Sequence, residues 1–376
     1  GVRGMNGFSI EESKCVYGAK IKVIGVGGGG GNMINHMVRE GIGGIDLIAA
    51  NTDAQALENC LAKTKIQLGK KGLGAGMRPE IGKESALESY EEIKSSLEKA
   101  DIVFIASGFG GGTGTGAAPV VAQAAKEVGA LTVAVVTRPF MFEGKKRAKL
   151  AELGINELRK ESDSIVIIPN DKLLAIVDAK FGIKDSFKIV DDVLSRAVSG
   201  MSLVVLSSGQ SDINVDFADV QTVMSHRGMA LMGIGESTGE DAAMEAIKSA
   251  IESPLLDNMS INGALGVLVH FHIPPSYPIT EISNAMQLIL DCADEDADVI
   301  FGTTTSEDME ENSVRVTIVA TGFENKIEAA KELKMLNSNQ ESIKKERILR
   351  MKKVSGGYEG QDDYLDIPTY IRHQMD

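Results

Sequence analysis

The chain has 376 residues, with 39 Lys and Arg against 53 Asp and Glu for a net charge of −14, and 43% of it is hydrophobic. That length accommodates two domains and a tail with a sizeable core, while so acidic a balance excludes unaided binding to nucleic acid or to an anionic membrane face, both of which need a basic footprint. Cys15, Cys60 and Cys292 have no metal-ligand spacing and exclude a disulfide scaffold, which fits a reducing cytosol; no apolar run reaches the ~20 residues of a membrane span and no signal peptide is read at the start.

After an N-terminal extension, residues 1–19, short apolar runs alternate with amphipathic stretches over 20–183. Strands are predicted at 20–26, 45–50, 101–106, 131–136 and 164–169, with helices at 32–40, 117–128 and 147–160. Continuous apolar strands separated by helices predict a parallel sheet covered on both faces. Residues 186–207 read as one long helix, because Phe187, Val190, Leu194, Val198, Met201 and Val205 recur at three- and four-residue steps. It connects to a second α/β region with strands at 229–234, 266–271, 299–303 and 313–320 and helices at 240–252 and 281–293, enough for a smaller four-stranded mixed sheet. The predicted division is therefore a domain at 20–183, a connector helix at 184–208, a second domain at 209–323, a Lys/Glu-rich linker at 324–363 and an apolar terminal peptide at 364–376.

Glycine is over-used, at 41 residues against a usual share of about 7%. Two clusters hold many of them. Gly25-Val26-Gly27-Gly28-Gly29-Gly30-Gly31-Asn32 follows a strand and opens a helix. Backbone N–H groups at such a helix start face an anion, and glycine lets the chain approach it closely. Gly25, Gly27 and Gly30 also satisfy the dinucleotide fingerprint G-x-G-x-x-G, with Asp53 near the ribose-holding acidic position; alone, this is compatible with a nicotinamide dehydrogenase. The second cluster, Gly108-Phe109-Gly110-Gly111-Gly112-Thr113-Gly114-Thr115-Gly116, tells against that reading. A dehydrogenase needs one pyrophosphate loop, whereas two on neighbouring strand ends suit a nucleoside di- or triphosphate gripped from both sides. No Walker sequence is present.

The run from Gly110 to Gly116 resembles the glycine-rich signature of the tubulin superfamily. With Asn51-Thr52-Asp53-Ala54-Gln55-Ala56-Leu57 and Asn214-Val215-Asp216-Phe217-Ala218-Asp219-Val220, the resemblance narrows to its bacterial cell-division GTPases, over about residues 20–322. It implies a Rossmann-like GTP-binding domain that takes GTP or GDP with Mg2+, the ion held by the phosphates and by no named protein ligand. Gly28, Gly29, Gly30, Gly31 and Asn32 would meet the nucleotide from one side, and Gly112, Thr113 and Gly114 would cradle its phosphates. Ala75 and Gly76 match a γ-phosphate-sensing loop, although Met77-Arg78 departs from the usual Ala-Asn. Pro139, Glu143 and Arg147 match the sugar-binding loop, with Glu143 on the ribose and Asn170 supporting the sugar or base; Lys145 and Lys146 read as a solvated face.

On spacing alone Phe187 is a core residue and Asp191 an acid favoured by the helix dipole. The resemblance makes Phe187 a stacking partner for a purine and Asp191 the acceptor for guanine N1–H and its 2-amino group, a donor pair that adenine lacks. Asp216 and Asp219 likewise read locally as an N-cap and a first-turn acid. The resemblance implies instead that they are catalytic and complete the cleft of a neighbouring subunit, in a head-to-tail contact that does not close and so gives a filament. The terminal Leu365, Asp366, Ile367, Pro368, Tyr370, Ile371 and Arg372 resemble a docking peptide for membrane-tethering and regulatory division proteins. The expected location is the cytoplasmic face of the mid-cell membrane, reached only indirectly.

Overall fold

The structure is a computed structural model that describes residues 19–175, 180–206, 216–226, 229–256 and 261–323, all within one compact unit. The terminal docking peptide, the charged linker, nearly all of the N-terminal extension and residues 207–215 lie outside the described residues.

The first half begins β1 (Ile21–Val26), α1 (Gly27–Glu40), β2 (Ile45–Asn51), α2 (Ala54–Glu58), β3 (Thr64–Gln67), α3 (Pro79–Glu88) and α4 (Tyr90–Leu97). It continues β4 (Ile102–Gly108), α5 (Thr113–Glu127), β5 (Leu131–Arg138), α6 (Lys145–Glu161), β6 (Ser164–Pro169) and α7 (Asn170–Leu173). The long helix α8 (Ile183–Leu206) follows, then α9 (Phe217–Met224), β7 (Met229–Thr238), α10 (Ala242–Ile251), β8 (Gly266–Ile273), α11 (Ile279–Cys292), β9 (Asp298–Thr305) and β10 (Ser313–Thr321).

The strands lie in the order β3-β2-β1-β4-β5-β6-β7-β10-β8-β9. From β3 to β6 every pairing is parallel, and β4, β5 and β6 are buried over nearly their whole length, as a sheet covered on both faces requires. In the second half β10 pairs antiparallel with β7 and β8, and β8 pairs parallel with β9, which makes the smaller mixed sheet. Among the described residues the two halves are joined in register at two positions, Ile165 with Met229 and Val166 with Ala230.

Helix α8 runs between them. Its buried face carries Val190, Val193, Leu194, Ala197, Val198 and Met201, the stripe the periodicity predicts, and it packs on α1 and on strands of both halves. Phe187 is not part of that stripe: it is 41% exposed. Two further helices begin earlier than predicted. α1 starts at Gly27 and not Asn32, and α5 at Thr113 and not Ala117. Glycine is a poor helix former, so composition reads as loop where close packing imposes a helix. A Cβ on Gly30 would run into the carbonyl of Ala106 on β4, and this close approach seats α1 against the sheet.

Candidate functional site

The order of strands reverses between β1 and β4: the chain winds outward one way through β2 and β3 and the other way through β5 and β6. In an open parallel sheet, ligands bind beyond the strand ends at such a switch point. Both glycine clusters emerge there, one from β1 into α1 and one from β4 towards α5. They touch each other. A Cβ on Gly27, where φ is +77°, would come within 3.1 Å of the Gly114 nitrogen, and one on Gly29 within 3.3 Å of the Gly108 nitrogen.

The second turn is braced from several sides. The Thr115 hydroxyl accepts from Gly110 N at 2.9 Å and is buried, so it closes the loop and does not face a ligand. Thr113 remains on the surface of the cleft, its hydroxyl 2.6 Å from that of Thr52 at the end of β2. The Ser107 hydroxyl donates to Val26 O at 2.9 Å, binding the two strand ends together. Ala75 and Gly76 abut Gly112: a Cβ there would lie 3.0 Å from both the Ala75 Cβ and its carbonyl oxygen.

These turns floor a cleft of about 410 Å³. Of the residues the sequence singled out, Gly28, Gly29, Asn32, Gly76, Gly112, Thr113, Gly114, Pro139, Glu143, Arg147, Asn170, Phe187 and Asp191 line it. Gly30, Gly31 and Ala75 do not, and Gly30 and Ala75 are buried as packing residues. Sequence reasoning read Val190 and Leu194 only as core residues of α8 and did not place Thr137 among the site residues, yet all three line the walls. Thr137 was within reach, because it opens the stretch matched to the sugar-binding loop and pairs with Gly108 near the end of β5.

The side walls carry the polar groups. Glu143 accepts from Phe140 N at 3.0 Å and lies 3.5 Å from Arg147, one turn on. That pairing holds its carboxylate at the cleft edge. Asn170 is buried, yet its Oδ1 has no hydrogen-bond partner; a buried acceptor left unpaired is costly and calls for a ligand or water. Phe187 meets Phe140 edge-on at 5.5 Å, and Phe140 stacks on Phe142 at 4.9 Å. One face of an aromatic shelf is thereby left for a planar ring. One turn along α8, burial alone pushes the Asp191 carboxyl up to about 7, as expected for a half-buried acid with no donor of its own.

Asp53 is not placed to hold a ribose. Its carboxylate caps α2, accepting from Gln55 N at 2.9 Å and Ala56 N at 3.2 Å. This removes the acidic residue on which a dinucleotide reading depends. Asp216 and Asp219 lie outside the cleft lining, and both are exposed. Asp216 is the N-cap of α9, accepting from Ala218 N at 3.2 Å, and Asp219 stands in the first turn.

A parallel α/β sheet with paired glycine turns at its switch point defines the class: a nucleotide-binding protein that grips phosphates with main-chain N–H groups. Residues 20–178 match the GTPase domain of the Tubulin/FtsZ family, and residues 228–324 match the C-terminal domain of the FtsZ family. The cell division protein FtsZ of Helicobacter pylori strain J99 is 48% identical over 377 aligned positions, covering 98% of this chain and 96% of the relative. That of Pseudomonas aeruginosa is 46% identical, covering 95% and 97%. Among solved structures, an empty FtsZ dimer of M. jannaschii superposes with a TM-score of 0.78 at 48% identity, covering 81% of this chain and 88% of that one. CetZ2 from Haloferax volcanii, solved as a GTPγS-bound protofilament, shares the fold at a TM-score of 0.67 and 20% identity, covering 84% and 99%. The chain belongs to the FtsZ family.

Proposed function

We propose that this chain is an assembling GTPase of bacterial cell division, which binds GTP in the β1–β4 cleft and hydrolyses it only when a second copy docks. The observation that carries the reading is a division of parts. The cleft has the phosphate cradle and the base-reading wall, but the two acids suited to orient water stand exposed on α9, outside it.

The chemistry follows from the groups present. N–H groups of Gly28, Gly29 and Gly112 to Gly114 neutralise phosphate oxygens without a side-chain cation. Glu143 takes the ribose hydroxyls, and the free acceptor of Asn170 finds a donor on the sugar or base. Phe187 stacks on the purine while Asp191 accepts from guanine N1–H and its 2-amino group. Those two donors supply what the site lacks and hold Asp191 ionised. The cradle offers main-chain N–H groups and the Thr113 hydroxyl, which fits a magnesium ion carried mainly on phosphate oxygens and water. Phosphoryl transfer needs placement and charge stabilisation above all, so Asp216 and Asp219 from the next subunit have one task, to fix the attacking water in line.

Such a contact is head-to-tail and propagates into a filament. Residues 365–372 would carry the filament to membrane-tethering partners at mid-cell. Phosphate release measured against protein concentration tests the reading. A steep rise above a threshold, with light scattering that appears with GTP and fades as GDP accumulates, is the expected result. A rate strictly proportional to concentration would place the whole active site within one chain.

A further inference from the structure

Away from the cleft floor, α1 and α8 bring three metal-ligating side chains together. His36 and Glu40 stand one turn apart on α1 and Asp192 reaches across from α8; one ligand atom from each lies within 4.8 Å of the others. His36 Nε2 is 3.3 Å from Asp192 Oδ1, and His36 Nδ1 is 3.4 Å from Glu40 Oε1. The hydrogen bond of the ring is made elsewhere, between Nδ1 and the hydroxyl of the fully buried Ser195 at 3.2 Å.

These separations are too long for good charge-assisted hydrogen bonds, which run to about 2.7–2.9 Å. The Nε2–Asp192 separation matches the edge of a tetrahedral metal site, where bonds of about 2.1 Å set neighbouring ligands about 3.4 Å apart, and the Glu40 carboxylate stands near enough to swing in as a further ligand. Ser195 supplies what a metal-bound imidazole regularly has, an oxygen partner on its other nitrogen that fixes the tautomer and leaves Nε2 as the ligand. The group is also reachable. A concavity of about 510 Å³ opens over His36 and Asp192. Arg39 and Lys188 line it as well and offset much of the acidic charge, so a purely electrostatic ion such as magnesium gains little there and the imidazole decides selectivity.

We propose that His36, Asp192 and Glu40 form a binding site for a borderline divalent cation of the zinc class, with water in the open position. Imidazole with carboxylate suits zinc, cobalt and nickel, whereas magnesium and calcium prefer all-oxygen sets. An ion here would tie α1, which carries Gly28, Gly29 and Asn32, to α8, which carries Phe187 and Asp191. It would thus clamp two walls of the nucleotide cleft from outside it.

The test uses the full chain, stripped with a chelator and kept in excess magnesium. Zinc is titrated by calorimetry and cobalt by visible absorption. The expected result is a saturable site with the spectrum of imidazole-bound cobalt. His36→Ala should weaken it by about a hundredfold or more, and Ser195→Ala by about tenfold. Zinc should raise the unfolding midpoint of the wild type and not of His36→Ala. Because other histidines and cysteines are present, the reading is the difference between wild type and variant. Should His36→Ala fail to fold, Asp192→Asn, which keeps the shape of a half-buried partner, must weaken zinc by about tenfold or more. Unchanged zinc binding in the folded variant, no saturable site, or displacement by magnesium would each overturn the proposal.

Discussion

The cleft and the start of α9 are opposite kinds of surface. The cleft is concave, with a buried amide oxygen lacking a partner in Asn170, a desolvated carboxyl in Asp191 and a floor of glycine turns. The start of α9 has its polar groups provided for: Asp216 caps its own helix and Asp219 stands in solvent. Unmet hydrogen-bonding need announces a binding site from within one chain. A surface proposed to act on another molecule shows no such need, and α9 is proposed for that role because both cleft carboxylates, Glu143 and Asp191, are assigned to the nucleoside.

The contrast is broken most directly at α9. Asp219→Ala should leave nucleotide binding intact and lower turnover by about a hundredfold or more, while poisoning wild-type protein when the two are mixed. Asp216→Ala should do the same, with about 1 kcal/mol of lost capping in addition. A variant that no longer binds nucleotide as a monomer would place these acids in their own chain's site. The next effect is on the cleft. Gly112→Ala drives a methyl into the main-chain carbonyl of Gly76, and nucleotide affinity should fall by about tenfold or more by equilibrium dialysis.

Asp191 gives a pH signature. Burial pushes its carboxyl up to about 7, and the proposed contact to guanine needs the ionised form. Binding therefore releases a proton, and affinity rises with pH until it levels off above 7. At pH 6 the wild type should bind GDP about tenfold more weakly than on its plateau. Asp191→Asn should flatten that slope, and an unchanged slope would move base recognition elsewhere. The smallest effect is expected from Phe187→Ala. It should cost about fivefold or more in affinity, equally for guanine and adenine nucleotides, since stacking does not read hydrogen-bond donors.

Much of this was legible in residue order. Strands β1, β2, β4, β5 and β6 announce themselves because a strand buried on both faces leaves little room for polar residues. Helix α8 is legible from its stripe, and the lining role of Asn170 and Glu143 from the motifs that contain them. What stayed hidden depends on spatial neighbours. Glycine runs read as loop, so the early starts of α1 and α5 were missed; only the closeness of Gly30 to the Ala106 carbonyl and of Gly116 to the Pro79 carbonyl explains them. Thr113 and Thr115 look equivalent in sequence, yet one faces the cleft and the other closes its own turn. The two-position join between β6 and β7 leaves no pattern at all, because two pairs impose no periodicity.

The opening of α1 carries one more consequence. Five successive glycines, Gly27 to Gly31, occupy its first turns, and each costs about 1 kcal/mol of helical preference relative to alanine. Tertiary packing must hold that coil against its own tendency to unwind. The amides facing the cleft thus belong to the most easily melted stretch of the helix. Their deuterium uptake should be rapid in nucleotide-free protein and should slow sharply on binding, which makes this short segment a natural reporter of occupancy.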